Sequence, residues 1–280
     1  MLTIRGIEDA DLDAAIAVHC EAFDIAAARV TGFLERRFRH LLRTDPAGAF
    51  IAAGPRGKII GVSLAMRRGS LWALSLLAVA KSAQSDGVGA ALIERALGYA
   101  RAGDARVIIS SDDPRARHLY DRTGHEPRSA LEAKGRVDRG ALAPSRGVTR
   151  AGPEALDFCD RIDQAARGHR RRPDLEFWLG DRERELWLVD DRRGTGYAIA
   201  TSERLVTLAA TTEPAARDLM THVLSRAGSG EFLVSFIGEH QLWAREVLLA
   251  GGLPLERRGA IYTRGAVGSW ELYVPNGALI

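Results

Sequence analysis

Apolar and polar positions along the first half of the chain alternate between a period of two and a period of about 3.6 residues. Period two is typical of strands, and the longer period is typical of amphipathic helices. The pattern predicts a strand, two helices, a hairpin around a Pro/Gly turn, a central strand, a helix, a further strand and a final helix. In that order the first seven segments are 2–7, 9–23, 28–43, 48–66, 71–80, 90–102 and 106–111, and the final helix begins at 112–114.

The same order of elements recurs after a segment rich in Gly, Ala, Pro and Ser, residues 140–147, which is typical of a linker. A shift of one fixed length carries Ala116 onto Ala244 and Gly124 onto Gly252. The second half is predicted to contain a strand, a helix, a hairpin, a central strand and a helix. These segments are 148–152, 153–168, 185–201, 204–210 and 215–226. The chain is therefore expected to contain an internal repeat.

The central strand of the first half runs directly into a polar turn, Gln84–Gly89, and then into a helix. Glycines at 87 and 89 remove Cβ atoms, and a helix start offers unpaired N–H groups at the positive end of its dipole. The turn is therefore predicted to bind a diphosphate. A dinucleotide-binding loop would need a third glycine where Leu92 stands. A strand-to-helix turn without a ligand is the other open interpretation.

Two motifs together resemble the GNAT superfamily of N-acyltransferases. The spacing of Gln84, Gly87 and Gly89 is similar to the family's Gln-x-x-Gly-x-Gly/Ala signature for acyl-CoA. The segment from Asp113 to His125 is similar to Asn-x-x-Ala-x-x-Leu-Tyr-x-x-x-Gly-Phe. Asp replaces Asn at its start and His replaces Phe at its end.

The resemblance implies direct attack of an amine on the thioester of acetyl-CoA. A backbone N–H near Val79 would stabilise the oxyanion, and Tyr120 would give its proton to the departing sulfur. The residues expected to bind the cofactor are Leu77, Ala78, Val79, Gln84, Ser85, Asp86, Gly87, Val88, Gly89, Ala90 and Asp113. No metal ligand is expected. The general base stays open among His19, Glu21, Asp24 and the carboxylate of Ile280.

The repeat retains the apolar core positions of the first half but not its predicted cofactor-binding and catalytic residues. A shift one residue shorter carries Gln84, Gly87 and Gly89 onto Thr211, Pro214 and Ala216, and the first shift carries Tyr120 onto Leu248. Because Pro214 lacks an N–H and Leu248 lacks a hydroxyl, the second copy loses a hydrogen-bond donor for the diphosphate and a proton donor for the sulfur. The sequence therefore predicts a catalytic GNAT domain at 1–139 and a degenerate GNAT-like domain at 147–280. Each is an α/β (α+β) domain with a mixed, mostly antiparallel sheet flanked by helices.

Composition and charge favour a cytoplasmic protein. The net charge of +3 is mild, and Arg-rich, Lys-poor usage is typical of a GC-rich bacterial genome. No basic stripe with interleaved aromatic residues indicates nucleic-acid binding. Two cysteines suit a reducing compartment, and neither a signal peptide nor a membrane span is recognisable.

The acceptor is expected to be a small-molecule or peptide amine, and the oligomeric state stays undetermined. A non-catalytic acyl-CoA sensor or scaffold is the alternative to an enzyme. The cluster Arg167–Arg172 either contacts an anionic acceptor or the 3′-phosphate of the cofactor, or lies in a solvated loop. Four tryptophans after the linker either form an apolar wall or pack in a core: Trp178, Trp187, Trp243 and Trp270.

Overall fold

A computed structural model describes residues 2–26 and 31–280. The chain forms two compact units. Unit 1 consists of Met1–Ile108 and Pro114–His125, and unit 2 consists of Ile109–Asp113 and Glu126–Ile280. The predicted helix start at 28–30 lies outside the described residues.

Unit 1 has a sheet in the order β1-β2-β3-β4-β5, in which only the β4/β5 pair is parallel. Helices α1 and α2 pack on β3, and α3 packs on β2, β3 and β4. Trp72 is fully buried, and its Nε1 donates to the carbonyl of Ala96 at 3.1 Å, which ties β4 to α3. The elements are β1 (Thr3–Gly6), α1 (Leu12–Ala22), α2 (Thr31–Thr44), β2 (Ala49–Ala53), β3 (Ile59–Arg68), β4 (Leu71–Val79), α3 (Val88–Leu97), β5 (Ala105–Ser110) and α4 (Pro114–Arg122).

These bounds agree with the predicted order of elements. The helix after the turn is shorter than expected, because α3 ends at Leu97 rather than at Ala102. Gly98 follows directly, and glycine weakens a helix by about 1 kcal/mol relative to alanine. Apolar periodicity alone did not predict that α3 ends at Leu97.

Unit 2 has an antiparallel sheet in the order β13-β10-β9-β8-β7, and its strand β6 pairs with both β11 and β12. One large apolar core joins the sheet strands to α7 and α8. The elements are β6 (Glu126–Gly135), β7 (Val148–Ala151), α5 (Leu156–Arg167), α6 (Arg172–Leu179), β8 (Glu185–Asp191), β9 (Gly194–Ala200), β10 (Leu205–Ala210), α7 (Glu213–Ser225), β11 (Phe232–Gly238), α8 (Leu242–Ala250), β12 (Leu255–Arg264) and β13 (Tyr273–Val274).

Strand β6 lies inside the range 1–139 that the sequence assigns to the first domain. All its described strand partners belong to unit 2: Phe232–Gly238 in β11 and Leu255–Thr263 in β12. The contacts therefore assign β6 to unit 2, and the functional ranges 1–139 and 147–280 stay predictions. Local periodicity carries no information about which strands pair, since pairing joins residues more than a hundred positions apart.

The tail of the chain is part of the core of unit 2. Strand β13 pairs antiparallel with Leu208 and Ala209 of β10, and the amide of Ala210 donates to Leu272 O at 3.0 Å. Leu279 and Ile280 are fully buried. The tail is therefore packed against β10 of the same unit.

Two of the four arginines in the cluster are buried, so both interpretations of it are wrong for these two, whereas Arg170 and Arg172 are exposed. Arg167 and Arg171 have no exposed side-chain area. Arg171 pairs with the buried Asp163 at 2.8 Å and donates to the hydroxyl of Tyr273 at 2.9 Å. Arg167 donates to Ile280 O at 2.6 Å. These two arginines hold the tail in place within unit 2.

The four tryptophans after the linker are all buried, which fits core packing. Among the described residues, no helix is long and apolar enough to cross a membrane.

Candidate active site

Strands β4 and β5 pair only over part of their length. The parallel register joins Leu71–Leu74 to Ala105–Ile108 and ends there, whereas β4 continues to Val79 along β3. The amide of Ala80 donates to Ile60 O on β3 at 2.9 Å, so the groups of Val79 point the other way. By alternation, Leu77 also presents its N–H and C=O away from β3. This end of β4 thus has main-chain groups that β3 does not use.

Leu77 and Val79 therefore have main-chain groups that β3 does not use, and their contact with the pantetheine arm stays a prediction. Ala78 turns its own N–H and C=O towards β3, so its predicted contact rests on its small, buried side chain.

The turn after β4 has an unusual backbone. Ser85 and Gly87 both lie in the left-handed region, with φ of +73° and +80°. Gly87 is the N-cap of α3 and supplies no side chain to cap it. The first intrahelical bond within the described turn runs from Ala91 N to Gly87 O at 3.0 Å. The N–H groups of Val88, Gly89 and Ala90 therefore point out of the helix end and form a cradle for an anion.

Ser85, Asp86 and Gly87 are exposed, and a Cβ at Gly87 would meet no atom within 4 Å. The turn is thus open to solvent. Gly87 is required by its positive φ and not by crowding from the protein, which agrees with a site kept clear for a ligand.

Gln84 connects the end of β4 to helix α4. Its Nε2 donates to Val79 O at 3.1 Å, and its Oε1 accepts from Nη1 of Arg115. Gln84 thus holds the strand end and also places an exposed guanidinium beside the turn. The sequence motif did not identify Arg115, because it occupies a variable position of the pattern. Its only sequence signal is a positive charge in the first turn of α4.

Tyr120 lies on α4 and is 4% exposed. A Cβ added at Gly89 would lie 3.6 Å from Cδ2 of Leu119, which shows that α4 packs beside the first turn of α3. The structure therefore places the proposed proton donor on a helix that borders the turn. His125, where the family motif has Phe, is buried with its ring centroid 6.4 Å from that of Trp72. It fills an aromatic position.

Asp113 directly precedes α4 and belongs to unit 2 in the division by contacts. Its expected contact with the cofactor stays a prediction.

Three of the candidate bases lie on α1 or directly after it. Glu21 Oε1 accepts from the amide of Lys81 at 2.8 Å, and Asp24 pairs with the ammonium of the same lysine. Both carboxylates thus lie where the chain leaves β4. His19 is buried, and burial together with the nearby Arg37 lowers its pKa to about 4. His19 is therefore a much weaker base than an ordinary imidazole. Ile280 is buried in unit 2 against Arg167.

The low pKa of His19 predicts acid-sensitive stability. The unfolded chain, with a His pKa near 6.5, binds a proton that the folded chain excludes until about pH 4. Stability is complete above pH 6.5 and is lost as the pH falls towards 4. At about pH 5 the loss should be about 2 kcal/mol. Urea unfolding of wild type and His19→Phe, at about pH 7.5 and 5, measures it.

The His19→Phe variant should lose about 2 kcal/mol less than wild type over this interval. The exposed His118, changed to Gln, is the control and should behave as wild type. Equal losses in wild type and His19→Phe would contradict the assignment.

In unit 2, the turn that corresponds to the anion cradle of unit 1 is short. Only residues 211–212 separate β10 from α7, whereas residues 80–87 separate β4 from α3. Thr212 caps α7 by accepting from Ala215 N at 3.4 Å, and Thr211 bonds to Thr195. Leu248 is fully buried in the core. The second turn is therefore both shorter and already saturated by its own side chains.

Residues 16–125 match the sequence model of the Acetyltransferase (GNAT) family. The similarity to a GNAT acetyltransferase domain thus lies within the first half of the chain. No curated protein matches the chain in sequence. Solved structures extend the similarity over the whole chain, including the half that the GNAT model does not cover.

A candidate acetyltransferase from Pyrococcus horikoshii is 18% identical, with a TM-score of 0.78 over 98% of this chain and 94% of its own. A GCN5-related N-acetyltransferase from Sphaerobacter thermophilus is 14% identical, with a TM-score of 0.61 over 94% and 95%. The tandem GNAT protein from the clavulanic acid biosynthesis pathway is 14% identical, with a TM-score of 0.60 over 94% and 98%. These structures confirm the predicted α/β fold with two GNAT-like domains.

Proposed function

We propose that the first unit transfers an acetyl group from acetyl-CoA to a primary amine, with Tyr120 as general acid. The observation that carries the proposal is the continuity of the diverging end of β4 with the uncapped N-terminus of α3. The end of β4 provides main-chain groups that β3 does not use, and the start of α3 provides an anion cradle. Pantetheine and diphosphate are neighbouring parts of CoA and require these two features in this order.

The residues present fit this donor. The amides of Val88, Gly89 and Ala90 would hold the diphosphate, assisted by the open backbone of Ser85, Asp86 and Gly87. The guanidinium of Arg115, on Gln84, adds a positive charge that favours phosphate oxygens. The main chain at Leu77 and Val79 would hold the pantetheine amides, with Ala78 and Asp113 as further predicted contacts.

The chain's own groups supply the proton chemistry. The thioester of the bound donor supplies the electrophilic acetyl group. The Val79 N–H would stabilise negative charge at the acyl oxygen, a contribution of commonly ~3 kcal/mol for a fixed donor. The hydroxyl of Tyr120 would give its proton to the sulfur, and Glu21 or Asp24 would take a proton from the amine, directly or through water.

We propose further that the catalytic range 1–139 acts together with a degenerate range 147–280. The short, capped turn at Thr211–Thr212 and the buried Leu248 support a second unit without a cofactor site. One acetyl-CoA should then bind per chain.

Thermal unfolding with acetyl-CoA tests cofactor binding. At about 100 times Kd the ligand should stabilise the binding unit by roughly 2.7 kcal/mol. No shift at millimolar acetyl-CoA would contradict the proposal.

Release of free thiol across a panel of amines then tests turnover. We expect release with at least one primary amine, and no release above background when the amine is left out. Binding without release for every amine would instead identify an acyl-CoA sensor.

A further inference from the structure

The point at which β4 leaves β5 coincides with an irregularity in β4. Opposite β3, Leu64 pairs with Leu76 and Ala65 pairs with Leu74, so Ser75 is an extra residue in the strand. The pairing with β5 ends at Leu74, the residue before it. Such a bulge bends a strand and increases its local twist. Ser75 is therefore the bend from which the amides of Leu77 and Val79 take their direction.

A buried arginine from α2 contacts this bend. Arg37 is 5% exposed. Its Nη2 donates both to the carbonyl of Ser75 and to Ser75 Oγ, the latter at 2.8 Å. Both of its described hydrogen bonds therefore end on the one residue that breaks the strand.

Arg37 has no described carboxylate partner, unlike other buried arginines of the chain. Arg68 pairs with Asp45 at 2.9 Å and Arg171 pairs with Asp163 at 2.8 Å. Burial without a compensating acid lowers the pKa of Arg37 to about 10, and Arg37 remains charged at neutral pH. A buried cation without a counter-ion costs stability, so its benefit must lie elsewhere.

We propose that Arg37 is a positioning residue for acyl-CoA, because its guanidinium fixes the Ser75 bulge and thereby the direction of the amides at Leu77 and Val79. The inference rests on the proposed function of unit 1. It assigns to α2 a role in donor binding that neither motif contains.

The test compares two ligands on Arg37→Met, which keeps an apolar chain of similar length. Acetyl-CoA would reach β4, whereas adenosine 3′,5′-diphosphate carries the 3′-phosphate and the first phosphate of the diphosphate but no pantetheine. The Kd of acetyl-CoA should rise about tenfold, equivalent to ~1.4 kcal/mol. The Kd of adenosine 3′,5′-diphosphate should stay within about twofold, since it would contact the turn alone. Arg37→Lys retains the charge and a donor and should recover part of the affinity.

Hydrogen exchange of the ligand-free proteins gives a local readout that does not depend on any ligand. Exchange in peptides covering residues 75–80 should be faster in Arg37→Met than in wild type, while peptides covering α3 exchange as in wild type. If Arg37→Met does not fold, Arg37→Lys and Ser75→Ala are measured instead. Ser75→Ala keeps the carbonyl and should have the smaller effect.

Unchanged affinity for acetyl-CoA in folded Arg37→Met would overturn the inference, and so would an equal loss for both ligands. Failure of wild type to bind acetyl-CoA would instead overturn the proposed function, so the two failures are distinguishable.

Discussion

Tyr120→Phe should lower the rate of thiol release about 10²- to 10⁴-fold at neutral pH, which is the usual contribution of a positioned general acid. The change removes one oxygen from a buried ring on α4 and leaves the packing of that ring intact. The Kd of acetyl-CoA should therefore stay near that of wild type. The loss should appear in kcat with saturating amine. Single-turnover acetyl transfer with the best amine of the panel, followed by titration of free thiol, measures it.

Tyr99→Phe is the matched control in the same unit. This change also removes one tyrosine hydroxyl, which donates to Asp45 Oδ1 at 3.1 Å in a partly buried hydrogen bond. It should cost some stability, about 1 kcal/mol, and leave turnover unchanged. Equal rates for Tyr120→Phe and wild type would show that another group, or solvent, protonates the sulfur. Equal losses in both variants would indicate a general effect of hydroxyl removal on the fold.

The site could be predicted from sequence where its parts are local. The strand-turn-helix from Leu71 to Leu97 depends on apolar periodicity, on a glycine at a positive φ and on a helix start. Each of these signals lies within a few residues of the structure that it specifies. Tyr120 could be placed for the same reason, since its helix has its own motif.

The role of charged residues could not be predicted, because it depends on contacts between distant segments. Arg171 lies in a run of arginines that would normally stay in water. It is buried because Asp163, Tyr197 and Tyr273 surround it with a carboxylate and two hydroxyls. Arg37 lies on a helix face that periodicity assigns no function, and its partner is 38 positions away. Neither partner is visible in a local pattern.

A shift of fixed length relates the helices of the two units correctly but not the turns that precede them. The shift carries core leucines of α3 onto Leu219 and Leu224, and these are fully buried in α7. It also carries Gln84 onto Thr211, although the turn there is six residues shorter, since residues 80–87 correspond to residues 211–212. Helix cores retain their register because packing requires it, whereas loops lose residues once no ligand requires them.

The end of β10 differs from the end of β4 in the pairing of its main-chain groups. In unit 1 the end of β4 has groups that β3 does not use, and in unit 2 the tail strand Tyr273–Val274 pairs with β10 near its end. The tail therefore satisfies main-chain groups that a cofactor would otherwise contact. This accounts, together with the capped turn, for the expectation of one acetyl-CoA per chain.

Gly87→Trp should abolish the thermal shift with acetyl-CoA, because the indole would occupy the space in front of the N–H groups of Val88, Gly89 and Ala90. The variant should still fold. A Cβ at position 87 meets no atom within 4 Å, so the expected cost is that of a left-handed backbone, about 1–2 kcal/mol. The roughly 2.7 kcal/mol of stabilisation at about 100 times the wild-type Kd should fall towards zero.

Gly57→Trp is a matched control that differs from Gly87→Trp only in its position in the chain. Gly57 lies in the β2–β3 turn of the same unit, with φ of +76° and likewise no atom within 4 Å of an added Cβ. Gly57→Trp should thus suffer the same backbone strain and the same added surface indole, yet keep the full shift with acetyl-CoA. If both variants lose the shift, strain or the exposed indole is responsible and the turn is not assigned. If Gly87→Trp keeps the shift, the diphosphate does not bind at the N-terminus of α3. Loss in Gly87→Trp alone assigns the anion cradle to residues 84–90.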